Sequence, residues 1–298
     1  MSFEMSIPQP FNFAATIQTH GWFQLPPFYW DADEQALLWA MQLNGKPSLV
    51  RIKTVAANRT FSLVRFDGGF KKSAAKLIER KFRYILNLDL DLSEFYRLCR
   101  RDPALRQAPR RGIGRLMRAE SLWEDLFKSI CGTNVQWRQA VNMIRAIAKL
   151  GTAVPGTDCF LFPTPLHILD AGESFLKDVG RVGYRSSYLL ELAKRFVNGD
   201  ATAQRAEQGE LSLAEMKDYF LSFKGIGKTT AHYLLALHGH FEEMAVDSLV
   251  IKYMKEHHFA GQTPTEKQII DHYDRFGRWR YLAYWMEFIV NEGWRPDA

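Results

Sequence analysis

Cysteine is scarce in this chain: Cys99, Cys131 and Cys159 are the whole complement, and they lie far apart. An odd, dispersed set does not make a disulfide framework, and it fits a reducing, cytoplasmic setting. Three thiols also fall short of a four-cysteine zinc or iron–sulfur site. No stretch approaches the ~18 consecutive apolar residues of a membrane-spanning helix. The opening Met1-Ser2-Phe3-Glu4-Met5 lacks the basic and apolar regions of a secretion signal, so no membrane partner is expected. Internal repeats and low-complexity tracts are missing as well. What remains is an ordinary globular composition, 298 residues of which 47% are apolar. That is enough for one large domain or two of medium size.

Charge is tilted modestly. Thirty-nine Lys and Arg against 33 Asp and Glu give a net +6, which favours a polyanionic partner without specifying one. The distribution says more. Arg100, Arg101, Arg106, Arg110, Arg111, Arg115 and Arg118 crowd one stretch in which Asp102 is the sole acid. Such a run reads as a solvated loop and helix face, as a phosphate-contacting stripe or as a basic hinge between two domains.

The first seventy residues carry strand signals. Leu37–Leu43 and Ser48–Val55 flank Asn44-Gly45, the sequence of a tight hairpin turn. A further β-like run covers Thr60–Phe66. From about Ala74 the pattern is helical, and Pro103, Pro109, Gly112 and Gly114 punctuate a boundary near residue 115. The expected architecture is α+β: a small antiparallel β-sheet domain with a basic linker over 1–115, then an all-helical domain over 116–298. Two helix starts stand out as capping boxes, Ser121 with Glu124 and Ser212 with Glu215. Gly132-Thr133-Asn134 interrupts the first of these helices, and Trp137, Val141, Ile144 and Ile147 continue at helical spacing.

The second box leads to Phe223-Lys224-Gly225-Ile226-Gly227-Lys228-Thr229-Thr230, a glycine turn between two helices. Glycines let the chain reverse and let another backbone approach closely. The free N–H groups opening the second helix then face an anion, with help from the helix dipole. Lys224, Lys228, Thr229 and Thr230 add charge and hydroxyl donors, and Ile226 is placed to plug the turn into the core. After one further helix comes Asp247, a lone carboxylate in Ala245-Val246-Asp247-Ser248, which reads either as a functional acid or as a plain helix N-cap.

Together Leu221–Ala231 and Val246-Asp247 resemble the signature of the helix-hairpin-helix DNA glycosylase superfamily. The resemblance extends over most of residues 115–290, through Ser121–Trp137, Phe162-Pro163-Thr164-Pro165 and Val179–Leu190. The strand-rich N-terminus is similar to the extra β domain of the 3-methyladenine and 8-oxoguanine branches. The resemblance implies base-excision repair, with Asp247 as the carboxylate that stabilises positive charge on the sugar as an N-glycosidic bond breaks. The implied partner is double-stranded DNA containing damaged bases, bound by a monomer. Superfamily members that are lyases carry a lysine two residues after the second glycine. Here that position is Thr229, and Lys228 lies one residue earlier, turned by about 100° on a helix. The implication is monofunctional hydrolysis without an iron–sulfur cluster, most simply of an alkylated purine that already carries positive charge.

The same resemblance places Asn134 where the superfamily inserts a side chain into the duplex, and Tyr184 at the aromatic wedge of the 8-oxoguanine branch. Left to the residues alone, these are also a turn residue and a surface tyrosine. It further implies that the carbonyls of Leu221, Phe223 and Ile226 hold a monovalent cation, Na+ or K+. Candidate base-stacking aromatics are Phe28, Tyr29 and Trp30, with Tyr233 on the second hairpin helix and Tyr281, Tyr284 and Trp285 near the end of the chain. Aromatics at such spacing also build cores. His232 is one helical turn from Lys228 and is a candidate phosphate contact. His238, His240, His257 and His258 lack metal-ligand spacing and read as solvated surface side chains.

Overall fold

The computed structural model describes residues 1–293. Five strands, β1 (Ser2–Pro8), β2 (Phe28–Asp31), β3 (Ala36–Leu43), β4 (Lys46–Ala57) and β5 (Phe61–Gly68), form one antiparallel sheet in the order β1-β5-β4-β3-β2. The short helix α1 (Phe13–Ile17) and a 3-10 turn, Gly21–Gln24, lead from β1 to β2. The β3–β4 hairpin turns on Asn44 and Gly45, whose φ angles of 50° and 77° are what a two-residue primed turn requires. Val50, Ile52, Val64 and Phe66 alternate toward one buried face. There α2 (Ala75–Ile85) covers them, setting Phe82 edge-on against Phe66 at 4.9 Å.

The rest is helical: α3 (Ser93–Cys99), α4 (Ala108–Arg111), α5 (Leu122–Gly132), α6 (Trp137–Ala148), α7 (Pro165–Asp178), α8 (Arg185–Val197) and α9 (Ala201–Glu207). These are followed by α10 (Leu213–Leu221), α11 (Lys228–Leu237), α12 (Ser248–His257), α13 (Glu266–Tyr273) and α14 (Arg280–Asn291). Leu92, Phe95, Cys99, Leu105 and Ile113 pack into this helical core rather than beneath the sheet. The two cores meet at Asn87, whose amide donates to the carbonyls of Leu116 and Leu237.

The arginine run divides here. Arg100, Arg101, Arg106, Arg110 and Arg111 are exposed. Arg115 and Arg118 are structural. Arg115 donates to the Asn87 carbonyl, and burial lowers its pKa. Arg118 lies 3.5 Å from the centre of the Tyr84 ring, donates to the Tyr84 carbonyl and reaches His238 Nδ1 at 2.9 Å. All three cysteines are free and buried. Among the described residues no helix is long and apolar enough to cross a membrane.

Of the two capping boxes, Ser212–Glu215 closes in both directions. Ser121 accepts the Glu124 N–H, but the Glu124 side chain turns inward instead of back to the cap. There it meets Lys128, one turn on, and neither side chain sees solvent. The Lys128 ammonium lies 5.2 to 5.9 Å from the ring centres of Phe162, Phe28 and Trp22, joining sheet, loop and helix around one charge. Burial pushes Glu124 up to about 7, against the pull of the ammonium. Truncating only one partner strands the other charge. Lys128→Ala should therefore lose about 3–5 kcal/mol in urea unfolding, while the double change Glu124→Leu with Lys128→Met should recover most of that loss.

Candidate active site and nucleic-acid interface

The hairpin between α10 and α11 is built as its sequence requires, with one difference. Gly225 adopts φ +92°, and a Cβ there would meet the Tyr188 ring at 2.6 Å, so no other residue fits. Gly227 has ordinary extended geometry, φ −91° and ψ −179°, and serves as N-cap of α11. It is needed for openness rather than for its dihedrals, since nothing lies within 4 Å of where its Cβ would be. The space before the first N–H groups of α11 is thus clear for an anion. Ile226 is buried beneath the turn, as expected, while Lys224, Lys228 and Thr229 are exposed around it. Lys228 forms an ion pair with Glu266 at 2.7 Å, which raises its pKa. Thr229 donates its hydroxyl to the Val246 carbonyl at 3.2 Å, tying the hairpin exit to the residue before Asp247.

Asp247 caps α12 by accepting the Val250 N–H at 2.9 Å. It is both a cap and an exposed carboxylate. Desolvation by surrounding protein raises its pKa, opposed by the N–H groups of Val250, Leu249 and its own backbone. Asp247 is thus open to water on one side and packed against protein on the other. Tyr233, Tyr281 and Tyr284 are close enough to feel its charge, which adds to the burial that pushes their phenols well above the ordinary range. Tyr281 and Trp285 share one face of α14, and the Trp285 indole N–H donates to the Thr19 carbonyl at 2.9 Å.

The second N-terminal contribution is the turn His20–Trp22, which no motif announces. Trp22 stacks on Trp137 with ring centres 6.2 Å apart and planes at 12°, and it meets Tyr233 edge-on at 5.8 Å. Gly21 is compulsory, because a Cβ would lie 1.9 Å from the Trp137 ring. His20 is buried, and Nε2 donates to the Met117 carbonyl, leaving Nδ1 to accept from the Tyr233 hydroxyl at 3.3 Å. Burial pushes its pKa down to about 4, so the ring is neutral at physiological pH. Asp125 on α5 fixes the turn, accepting the Trp22 indole N–H at 2.7 Å and the Ala119 N–H at 2.9 Å.

Asn134 and Tyr184, distant in sequence, come together: the Asn134 amide lies 3.5 Å from the Tyr184 hydroxyl, and both are exposed. Asn134 holds φ +51°, a left-handed value that Asn tolerates at a loop tip. Buried Arg185 braces both, donating to the Thr133 carbonyl and lying 4.6 Å from the centre of the Tyr184 ring. Tyr188 contacts Tyr184 edge-on at 5.7 Å and also faces Gly225, so this tip and the hairpin form one continuous surface. Arg185 and Tyr188 went unremarked in the sequence because a buried guanidinium has no spacing signature.

Other candidates fall elsewhere. Phe28 and Trp30 belong to the sheet core, with Phe28 beside Trp39 and Trp30 against Phe13 and Phe23. They are strand residues: Trp30 packs against α1 and the 3-10 turn, while Phe28 lies between Trp39 and the Lys128 ammonium of α5. The Tyr29 hydroxyl oxygen accepts the Phe160 N–H at 2.8 Å. His232 is buried with Nδ1 at 3.0 Å from the Met244 carbonyl, so it does not reach a phosphate. His238 is buried beside Asp125 at 3.5 Å, and His258 pairs with Glu287 at 2.8 Å; neither is a solvated surface histidine. A cavity of about 450 Å³ opens between β3, α5, α9 and the 161–165 segment, and its lining includes neither Asp247 nor the hairpin.

No family model matches the chain. It is 24% identical over 195 residues to a DNA-3-methyladenine glycosylase of Bacillus subtilis, covering 63% of each protein. It is 26% identical over 135 residues to an N-glycosylase/DNA lyase of Saccharomyces cerevisiae, covering 40% of this chain and 36% of that one. Each alignment therefore spans less than two-thirds of the relative's length. The whole fold is shared with a 3-methyladenine DNA glycosylase of Archaeoglobus fulgidus, at a TM-score of 0.76 and 20% identity over 97% of this chain and 99% of that one. With an antiparallel sheet leading into a helical core, and a glycine hairpin tied to an aspartate at the start of the next helix, the chain is similar in sequence to these DNA glycosylases and shares the fold of the solved one.

Proposed function

We propose that this protein is a monofunctional DNA glycosylase that hydrolyses the N-glycosidic bond of a flipped-out damaged purine, most simply an alkylated one. The observation that carries the reading is the Thr229–Val246 hydrogen bond. It fixes a desolvated, exposed carboxylate at a set position beside a clear helix N-terminus. A phosphate held by the N–H groups at the start of α11 would bring the adjacent nucleotide to Asp247. Lys224 and Thr230 would add donors there, and Lys228 would exchange Glu266 for the phosphate.

In the reaction, the base leaves as the sugar gains oxocarbenium character. Ionised Asp247 stabilises that cation and orients the attacking water. An alkylated purine departs as a neutral base and needs no general acid. Tyr233, Tyr281 and Trp285, with Trp22, supply the aromatic wall near the carboxylate against which a cationic base gains most. Asn134 and Tyr184 fill the gap left in the duplex, held ready by Arg185. The Leu221 carbonyl ends α10 without an intrahelical partner, while that of Phe223 already accepts the Ile226 N–H. Leu221, Phe223 and Ile226 would hold a monovalent cation against the phosphate. Binding bent DNA across one face suits a monomer.

A second reading, excision of an oxidised purine, is favoured by the Asn134–Tyr184 pair and opposed by Thr229 in place of a lysine. Borohydride treatment of the enzyme on an 8-oxoguanine duplex decides it: no covalent adduct should form, and a trapped adduct would overturn the monofunctional reading.

Asp247→Asn keeps an N-cap acceptor for Val250 and removes the charge. Base release from a panel of alkylated duplexes should fall about 10²-fold or more, with DNA affinity and melting temperature preserved. Unchanged release would leave only a DNA-binding module. The pH profile gives an independent check. Activity requires ionised Asp247, whose folded pKa is raised, so release should decline with acid at a higher pH than an ordinary exposed aspartate would give. The same shift means folding disfavours the carboxylate, so stability at neutral pH should not drop in the Asn variant.

A further inference from the structure

We propose that His258, His272 and Glu287 bind one divalent transition-metal ion of the zinc class, stapling α12, α13 and α14 together behind the candidate active site. The three side chains come from the end of α12, from α13 and from α14. One ligand atom from each lies within 4.8 Å of the others. Ligands of a tetrahedral zinc ion, at 2.0–2.1 Å from the metal, stand roughly 3.3 Å apart, so only small side-chain adjustments close the set.

Charge and hydrogen bonding argue for an ion there. Glu287 is 1% exposed, and Oε2 already accepts the Tyr273 hydroxyl at 2.9 Å. Oε1 stands 2.8 Å from His258 Nε2. That approach lacks hydrogen-bond alignment, and the Nε2 atoms of both His258 and His272 are buried without a hydrogen-bond partner. The two rings lie with centres 4.2 Å apart. A buried carboxylate facing two imidazoles needs a cation. A proton can satisfy one imidazole, whereas a metal ion satisfies both and takes the carboxylate as its third ligand. Two imidazole nitrogens and one carboxylate oxygen suit Zn²⁺ and its neighbours rather than Mg²⁺ or Ca²⁺. Tyr273 supplies the outer hydrogen bond that orients the carboxylate. Because Asp247 caps α12 and α14 carries Tyr281, Tyr284 and Trp285, an ion joining the two helices would rigidify the wall around the carboxylate.

The test uses the full chain without an affinity tag, stripped with EDTA and titrated with ZnCl2. One zinc per chain is expected by elemental analysis and calorimetry. The melting temperature should rise by about 5 °C at a hundredfold excess over Kd, with no response to MgCl2. His272→Ala keeps the His258–Glu287 pair and should weaken zinc binding at least tenfold while abolishing the rise. His272→Gln gives the same reading should the alanine variant fold poorly. His257→Ala, altering an exposed histidine paired with Glu292, should bind as the parent does. Absence of stoichiometric zinc, or equal binding by the His272 variants, overturns the proposal.

Discussion

The site depends on the buried carboxylate of Asp125. It is fully enclosed on α5, yet its pKa stays low, because hydrogen bonds from Trp22 and Ala119 and the nearby His238 outweigh desolvation. Each of those partners belongs to a different part of the chain. Trp22 comes from the turn that leads into the sheet, Ala119 from the entry to α5, and His238 from the end of α11, where Arg118 and the Tyr84 ring hold it in turn. A buried charge tolerates no slack, since moving any one donor leaves an uncompensated carboxylate in a low-dielectric interior. The relative position of the N-terminal turn and the hairpin helix is therefore set at this residue.

From that anchor the geometry propagates outward by short steps. Trp22 stacks on Trp137 and abuts Tyr233, while Gly21 gives up its side chain to allow the contact. Tyr233 lies on α11, whose first turn carries Thr229 and hence the backbone beside Asp247. On the far side, Tyr188 fits against Gly225 and leads to Tyr184, Arg185 and Asn134. The glycine hairpin, the Asp247 carboxylate and the exposed Asn134–Tyr184 tip thus share one frame made mostly of aromatic contacts.

Much of this was legible in the sequence, and the exceptions share a cause. The Asn44-Gly45 hairpin, the Ser212 box, the glycine turn and the buried Ile226 are local features, and local chemistry dictates them. The Ser121 box failed by half, because Glu124 found a stronger partner in Lys128 inside the core. Phe28 and Trp30, read as stacking platforms, are strand residues packed at the sheet core, Phe28 also beneath the Lys128 ammonium. His232, read as a phosphate contact, is buried, and His238 and His258, read as solvated, face the carboxylates of Asp125 and Glu287 from distant parts of the chain. Arg185, Asp125 and His20 carry no spacing pattern at all; only tertiary packing gives them roles.

Asp247 reaches its position as a helix cap, and this limits its freedom. The hydrogen bond from the Val250 N–H to Oδ1 restrains the orientation of the carboxyl group. In the proposed reaction its dipolar surroundings would already be arranged before the bond begins to break, so little reorganisation energy would be spent. An acid of the same chemistry on a flexible loop would have to find its orientation anew in every turnover.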